Sequence, residues 1–127
     1  MKQIAAKISG SELEVLSVLW EGEGPMALSE IRQALAQSRS WDGSTVKTLV
    51  RRLCEKGALR AEKCAVYRYA PLISREEYRA WSTQDLIDRL FRGSARQLAA
   101  SLVEGDRLSR GDVQELLELL DRRDGHE

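Results

Sequence analysis

Along this chain, apolar residues recur every three or four positions in six stretches and alternate with polar residues in one. The first stretch opens at Ser11, where Glu14 three residues on makes a capping box. It predicts a helix to about residue 20 that buries Leu13, Leu16, Leu19 and Trp20, and the sequence GEGP ends it. A second helix is expected over residues 27 to 37, with Leu28, Ile31, Ala34 and Leu35 on one face. A loop over residues 38 to 43 leads to a third helix, over about 43 to 56, with Val46, Leu49, Val50, Leu53 and Cys54 on its apolar side. Asp42 is placed to cap its start and Gly57 to stop it.

Beyond Gly57 the period falls to two. Leu59 and Ala61 alternate with Arg60 and Glu62, and Val66 and Tyr69 flank Tyr67 and Arg68, so two short strands turn around Lys63, Cys64 and Ala65. Three helices and a hairpin in that order predict a winged helix-turn-helix, closed by Pro71. Capping boxes at Ser74–Glu77 and Ser109–Asp112 and a restart at Gly93–Ser94 predict three more helices. The fold class expected is therefore mainly α with a small β-hairpin wing, as a DNA-binding unit over residues 1–72 and a helical unit over 73–127. There are no internal repeats or low-complexity segments.

The polar face of the third helix changes the picture from fold to function. Ser44, Lys47, Thr48 and Arg51 form one stripe, with Thr45 and Arg52 on its flank, and Glu55 is the only carboxylate between Gly43 and Gly57. Short hydroxyls approach phosphates closely, and long cations reach base edges or neutralise the backbone, so this stripe suits double-stranded DNA. Arg60, Lys63 and Arg68 would add charge from the wing. The global net charge is zero, yet residues 39 to 68 hold eight Lys or Arg against three acids. Residues 1–72 carry +3 and residues 73–127 carry −3, which assigns nucleic acid to the first part and protein to the second. Arg51 lies mid-stripe, where it could reach guanine, and Arg52 at the edge, where it meets phosphate or an acid. Trp41 could touch the sugar-phosphate backbone or pack beside the second helix.

The last three helices carry Tyr78, Trp81, Leu86, Leu90, Phe91, Leu98, Leu102, Val113, Leu116, Leu117 and Leu120 in about 50 residues, too few to bury such surface alone. A second copy of the same segment would cover it, making a homodimer on a palindromic operator, while packing back onto the winged helix is the alternative.

Other chemistry is sparse. A single histidine, His126 near the end, rules out a Ser/His/Asp set, and Gly22 and Gly24 precede a proline rather than a phosphate-binding helix, so no enzyme, metal site or cofactor is expected. Cys54 reads as a small core residue and Cys64 as a turn residue or a redox switch near DNA. No apolar run nears the roughly 18 residues of a membrane span, and MKQIAAKIS lacks a signal-peptide core, so no membrane partner and a reducing cytoplasm are expected. A winged helix that binds protein rather than DNA would show an acidic or apolar recognition face.

The segments ISGSELEVLSVLWEGEGPMALSEI, WDGSTVKTLVRRLCEKGAL, YRYAPLISREEY, and DRLFRGS followed by LVEGDRLSRGDVQEL resemble the penicillinase-repressor (BlaI/MecI/CopY) regulators, in that family's order from about Ile8 to Leu120. The resemblance implies a homodimeric winged-helix repressor on a palindromic operator. It carries DNA contact onto Thr45, Lys47, Thr48 and Arg51, and onto Lys63, Tyr67 and Arg68 of the wing. Three departures accompany it. Asp42, Gly43 and Ser44 stand where the family commonly has Ser-Pro-Lys or Ser-Pro-Asn, removing a cation from the helix start. The wing is about one residue shorter, with Cys64 and Ala65 at its tip. Ser101 and Leu102 occupy the place of the Asn-Phe bond that a sensor protease cuts in penicillin-responsive members. The tail RRDGHE lacks the Cys-x-Cys of copper-responsive relatives, so copper sensing by those thiolates is not expected.

Overall fold

The computed structural model describes residues 2–125, with side-chain surroundings from residue 4; His126 lies outside the described residues. The chain divides into two compact units, Met1–Ser82 and Thr83–Glu127. The boundary expected at 72/73 precedes a helix, and the units part inside that helix.

The first unit begins with a short α1 (Lys2–Ala6) and α2 (Gly10–Glu21). The cap lies two residues earlier than expected. Ser9 rather than Ser11 caps α2, its hydroxyl accepting the Glu12 N–H while Glu12 accepts the Ser9 N–H at 2.9 Å. With the register set there, Val15, Leu16 and Leu19 are buried, whereas Leu13 is only half-buried. Glu14 instead turns outward to Arg39.

A two-residue strand, β1 (Met26–Ala27), leads into α3 (Leu28–Ala36) and then α4 (Gly43–Glu55). Both ends of α4 behave as their residues dictate. Asp42 Oδ1 accepts the Thr45 N–H at 2.9 Å and the Ser44 hydroxyl at 2.6 Å. These bonds hold the Asp42 carboxyl below its ordinary pKa, the Ser44 bond most strongly. At the other end Gly57 takes φ +82°, and the Ala58 and Gly57 N–H groups bond back to the Leu53 and Cys54 carbonyls. That is a Schellman stop, which favours glycine because a Cβ is strained at positive φ. Asp42→Ala should therefore fray the first turn, read as faster hydrogen exchange at Thr45, and Asp42→Ser should restore most of its protection.

The hairpin is β2 (Leu59–Lys63) and β3 (Tyr67–Pro71), paired from Leu59↔Pro71 to Lys63↔Tyr67. Val66, expected in the second strand, lies in the turn and is exposed. The sheet has a third strand that the two-residue period does not show: β1 pairs antiparallel with β3, giving the order β1-β3-β2. The core under this sheet gathers Leu16, Ile31, Leu53 and Ile73, all essentially inaccessible. In the first turns of α5 (Arg75–Leu90), Tyr78 packs tilted against Trp20 and Trp81 tilted against Tyr78, with ring centroids 6.0 and 6.1 Å apart. The Trp20 indole donates to the Ile73 carbonyl at 3.0 Å. These two aromatic residues thus have partners within the first unit.

In the second unit α6 (Ala95–Glu104) and α7 (Arg110–Asp124) start at the expected caps, Ser94 and Ser109. Neither helix buries a residue. Leu90, Val103, Leu116, Leu117, Leu119 and Leu120 each expose about half of their surface or more.

Candidate nucleic-acid interface

The amphipathic split of α4 fixes which of its side chains face outward. Val46, Leu49, Val50 and Leu53 point into the core, and Ser44, Lys47, Arg51 and Arg52 are exposed, with Thr45 and Thr48 half-buried at the margins. Among the described residues none of Lys47, Arg51, Arg52 and Lys63 has a carboxylate within ion-pair distance. The stripe is therefore a row of uncompensated cations on a helix capped at both ends. Ser44 is less free than its sequence position suggests, because its hydroxyl donates to Asp42.

The wing is less positive than its composition. Arg60 pairs with Glu62 at 2.6 Å, and Arg68 reaches Glu30 at 3.1 Å and the Pro25 carbonyl at 3.4 Å. Both pairs are largely exposed, so they offset charge without adding much stability. Lys63 and Tyr67 stay exposed at the end of the hairpin. Trp41 is half-buried against the core with the Arg39 guanidinium 5.5 Å from its ring centre, and Glu14 holds that guanidinium in place.

Between α4 and the sheet runs a groove of about 440 Å³, with Lys47, Thr48 and Arg51 on one wall and Tyr67 and Tyr69 on the other. Cys54 lines it half-buried, and burial, helped by the neighbouring Glu55 charge, pushes its thiol pKa up. A thiol kept protonated is a poor nucleophile, consistent with a packing role. Cys64 is exposed in the turn.

One cation escaped the sequence reading. Arg32, on α3, lays its guanidinium against Gly43 so closely that a Cβ there would stand 2.9 Å from Cζ. The signal was available only as an outward-facing arginine on the helix before the basic one.

The dimerisation candidates Leu86, Leu90, Leu102, Val113, Leu116, Leu117 and Leu120 are all exposed, while Phe91 and Leu98 are half-buried. Ser101 and Leu102 lie within the last turn of α6, where their carbonyls accept the Gly105 and Arg107 N–H groups at 3.0 and 2.7 Å.

A profile of the penicillinase repressor family matches residues 8–122. The chain belongs to that family. It is 30% identical over 122 residues to the penicillinase repressor of Bacillus licheniformis, covering 95% of this chain and 94% of that protein. It is 25% identical over 118 residues to the methicillin resistance regulatory protein MecI of Mammaliicoccus sciuri, covering 92% and 95%. The solution structure of the DNA-binding domain of the repressor BlaI overlays with a TM-score of 0.53 at 35% identity, covering 61% of this chain and 94% of that one. A second solution structure, the monomeric form of B. licheniformis BlaI in complex with the blaP half-operator, overlays with a TM-score of 0.50 at 33% identity, covering 57% and 88%. The family's winged helix is thus the fold of the first unit. Among the described residues no helix is long and apolar enough to cross a membrane.

Proposed function

We propose that this chain is a homodimeric transcriptional repressor that sets α4 in the major groove of a palindromic operator and rests its wing on the adjacent backbone. The observation that carries the reading is the α4 stripe itself: Lys47 and Arg51 stand one turn apart, exposed and without acidic partners, on a helix whose start and stop are fixed by Asp42 and Gly57. A preset helix loses little entropy on docking, and free cations lose no ion pair. The relative bound to a half-operator supports the same use of the fold. Two copies joined through α6 and α7 would place two α4 helices on half-sites one helical turn, or a multiple of it, apart.

Release follows an inducing signal. Cleavage by a sensor protease between Ser101 and Leu102 is one route, and it requires the last turn of α6 to unwind first, since both carbonyls are engaged there.

Footprinting of the purified protein on its own upstream region, repeated across salt concentrations with mass determination of the complex, tests the proposal. A protected two-fold palindrome, a dimer mass and a steep salt dependence are expected. Protection nowhere, or everywhere alike, would return the chain to a protein-binding role. Within the stripe, Arg51→Ala should cost about 1 to 3 kcal/mol on the operator and relax specificity. Lys47→Ala should weaken all sequences similarly and lower the salt slope by about one. An Arg51→Ala loss equal on operator and random duplex would refute a base-reading role for Arg51.

A further inference from the structure

We infer that Arg32 is a further DNA-contacting residue, a phosphate clamp that α3 supplies to the start of the recognition helix. The inference rests on the DNA-binding reading above and deepens it.

The first turn of α4 carries no cation of its own: Gly43, Ser44, Thr45 and Val46 precede Lys47. It does carry an anion, since the Asp42 carboxyl that caps the turn is held below its ordinary pKa by its bonds to Ser44 and Thr45, and it lies beside Ser44 at the head of the stripe. A phosphate approaching that end would meet this charge at short range. Arg32 answers both deficits. Its Cζ, Nε and Nη2 lie 2.9, 3.0 and 3.2 Å from where a Cβ on residue 43 would stand, so the guanidinium occupies the space that glycine leaves open. Any side chain there would push the guanidinium away. Gly43 has no positive φ to accommodate, so backbone conformation does not require glycine.

Two further observations turn the guanidinium toward a ligand. Among the described residues Arg32 has no carboxylate within ion-pair distance, although Arg39, Arg60, Arg68 and Arg75 all have one. Arg32 is exposed, with its guanidinium beside Gly43, one helical turn before Lys47 in α4, and α3 is the element that in a helix-turn-helix crosses the DNA backbone. An arginine there reads phosphate geometry rather than sequence.

Because a phosphate contact is independent of sequence, the test needs no operator. The full chain is titrated with a fluorescein-labelled duplex of mixed sequence at several salt concentrations, as wild type, Arg32→Ala, Arg32→Lys, Gly43→Ala and the Arg32→Ala/Gly43→Ala double variant. Arg32→Ala should lower the salt slope by about one and weaken binding roughly five- to tenfold at low salt, with an unchanged melting temperature. Arg32→Lys should keep the slope. Gly43→Ala should weaken binding in the wild-type background and have no effect once Arg32 is gone, which a purely structural role for the glycine would not produce. A wild-type slope retained by Arg32→Ala, or a lost affinity that tracks a lowered melting temperature, overturns the assignment of Arg32 alone. Wild-type protein that ignores the duplex at every salt concentration overturns the DNA-binding reading with it.

Discussion

Replacing Leu116 and Leu120 together by glutamate is expected to leave a folded monomer whose operator affinity is lower by about two to four orders of magnitude. The two residues sit one turn apart on α7, in a row with Val113 and Leu117, and are 50% and 49% exposed. α7 spans 15 residues and buries none of them. A helix of that length holds together only marginally without packing, so an uncovered leucine stripe signals a missing partner surface. The net charge of −3 over residues 73–127 would oppose association, which makes the apolar stripe the driving element. Without the dimer the second half-site becomes a bimolecular encounter, and the gain from tethering disappears. Sedimentation would give the mass and footprinting the affinity. A wild-type chain that is already monomeric at the concentrations where it protects its operator would sink the idea.

The elements legible in the sequence are those whose ends depend on neighbours within five residues. Ser74–Glu77 and Ser109–Asp112 close their capping boxes as expected, and Gly57 stops α4 because only local bonds to Leu53 and Cys54 are involved. The start of α2 was misplaced for the opposite reason. Ser9–Glu12 and Ser11–Glu14 are equally good boxes locally, and the choice falls to Glu12 because Lys56, far along the chain, meets it. β1 was invisible because two residues carry no period, and its only reason to be a strand is the register against Arg68 and Tyr69.

The cationic stripe of α4 was legible because helix geometry alone separates Val46, Leu49 and Val50 from Ser44, Lys47 and Arg51. The wing charge was only half so. Arg60 and Glu62 share one face of β2, a period-two relation open to sequence reading, but Arg68 meets Glu30 only through the fold. Arg32 stayed hidden because its importance lies in the absent side chain of Gly43, a contact between two helices.

Lys56→Met is expected to lower the stability of the first unit by about 3 kcal/mol and to reverse its response to mild acid. Lys56 closes α4, and its ammonium donates to Glu12 Oε1 at 2.6 Å and to the Lys7 carbonyl at 2.7 Å, tying the end of α4 to α2 and to the turn that follows α1. The Glu12 side chain is only 2% exposed. Burial alone would raise its pKa, but the hydrogen bonds from Lys56 and Ser9 and the nearby ammonium charge outweigh that and hold it below the ordinary 4.5. A carboxyl whose folded value is depressed stabilises the fold above its ordinary value and loses that contribution as pH falls through the folded one. Wild-type stability should therefore decline only once the pH drops below about 4.5. With Lys56 gone the burial effect dominates, and Glu12 becomes a buried, poorly compensated charge that prefers its proton. The variant should then gain stability as the pH falls from 7 toward 5, where the wild type is flat. Glu12→Gln in the Lys56→Met background should recover much of the loss, because a neutral amide can still accept the Ser9 N–H. Urea unfolding across that pH range reads both effects. A Lys56→Met loss below about 1 kcal/mol with a wild-type pH profile would show that water reaches Glu12 and that the pair is an ordinary surface contact.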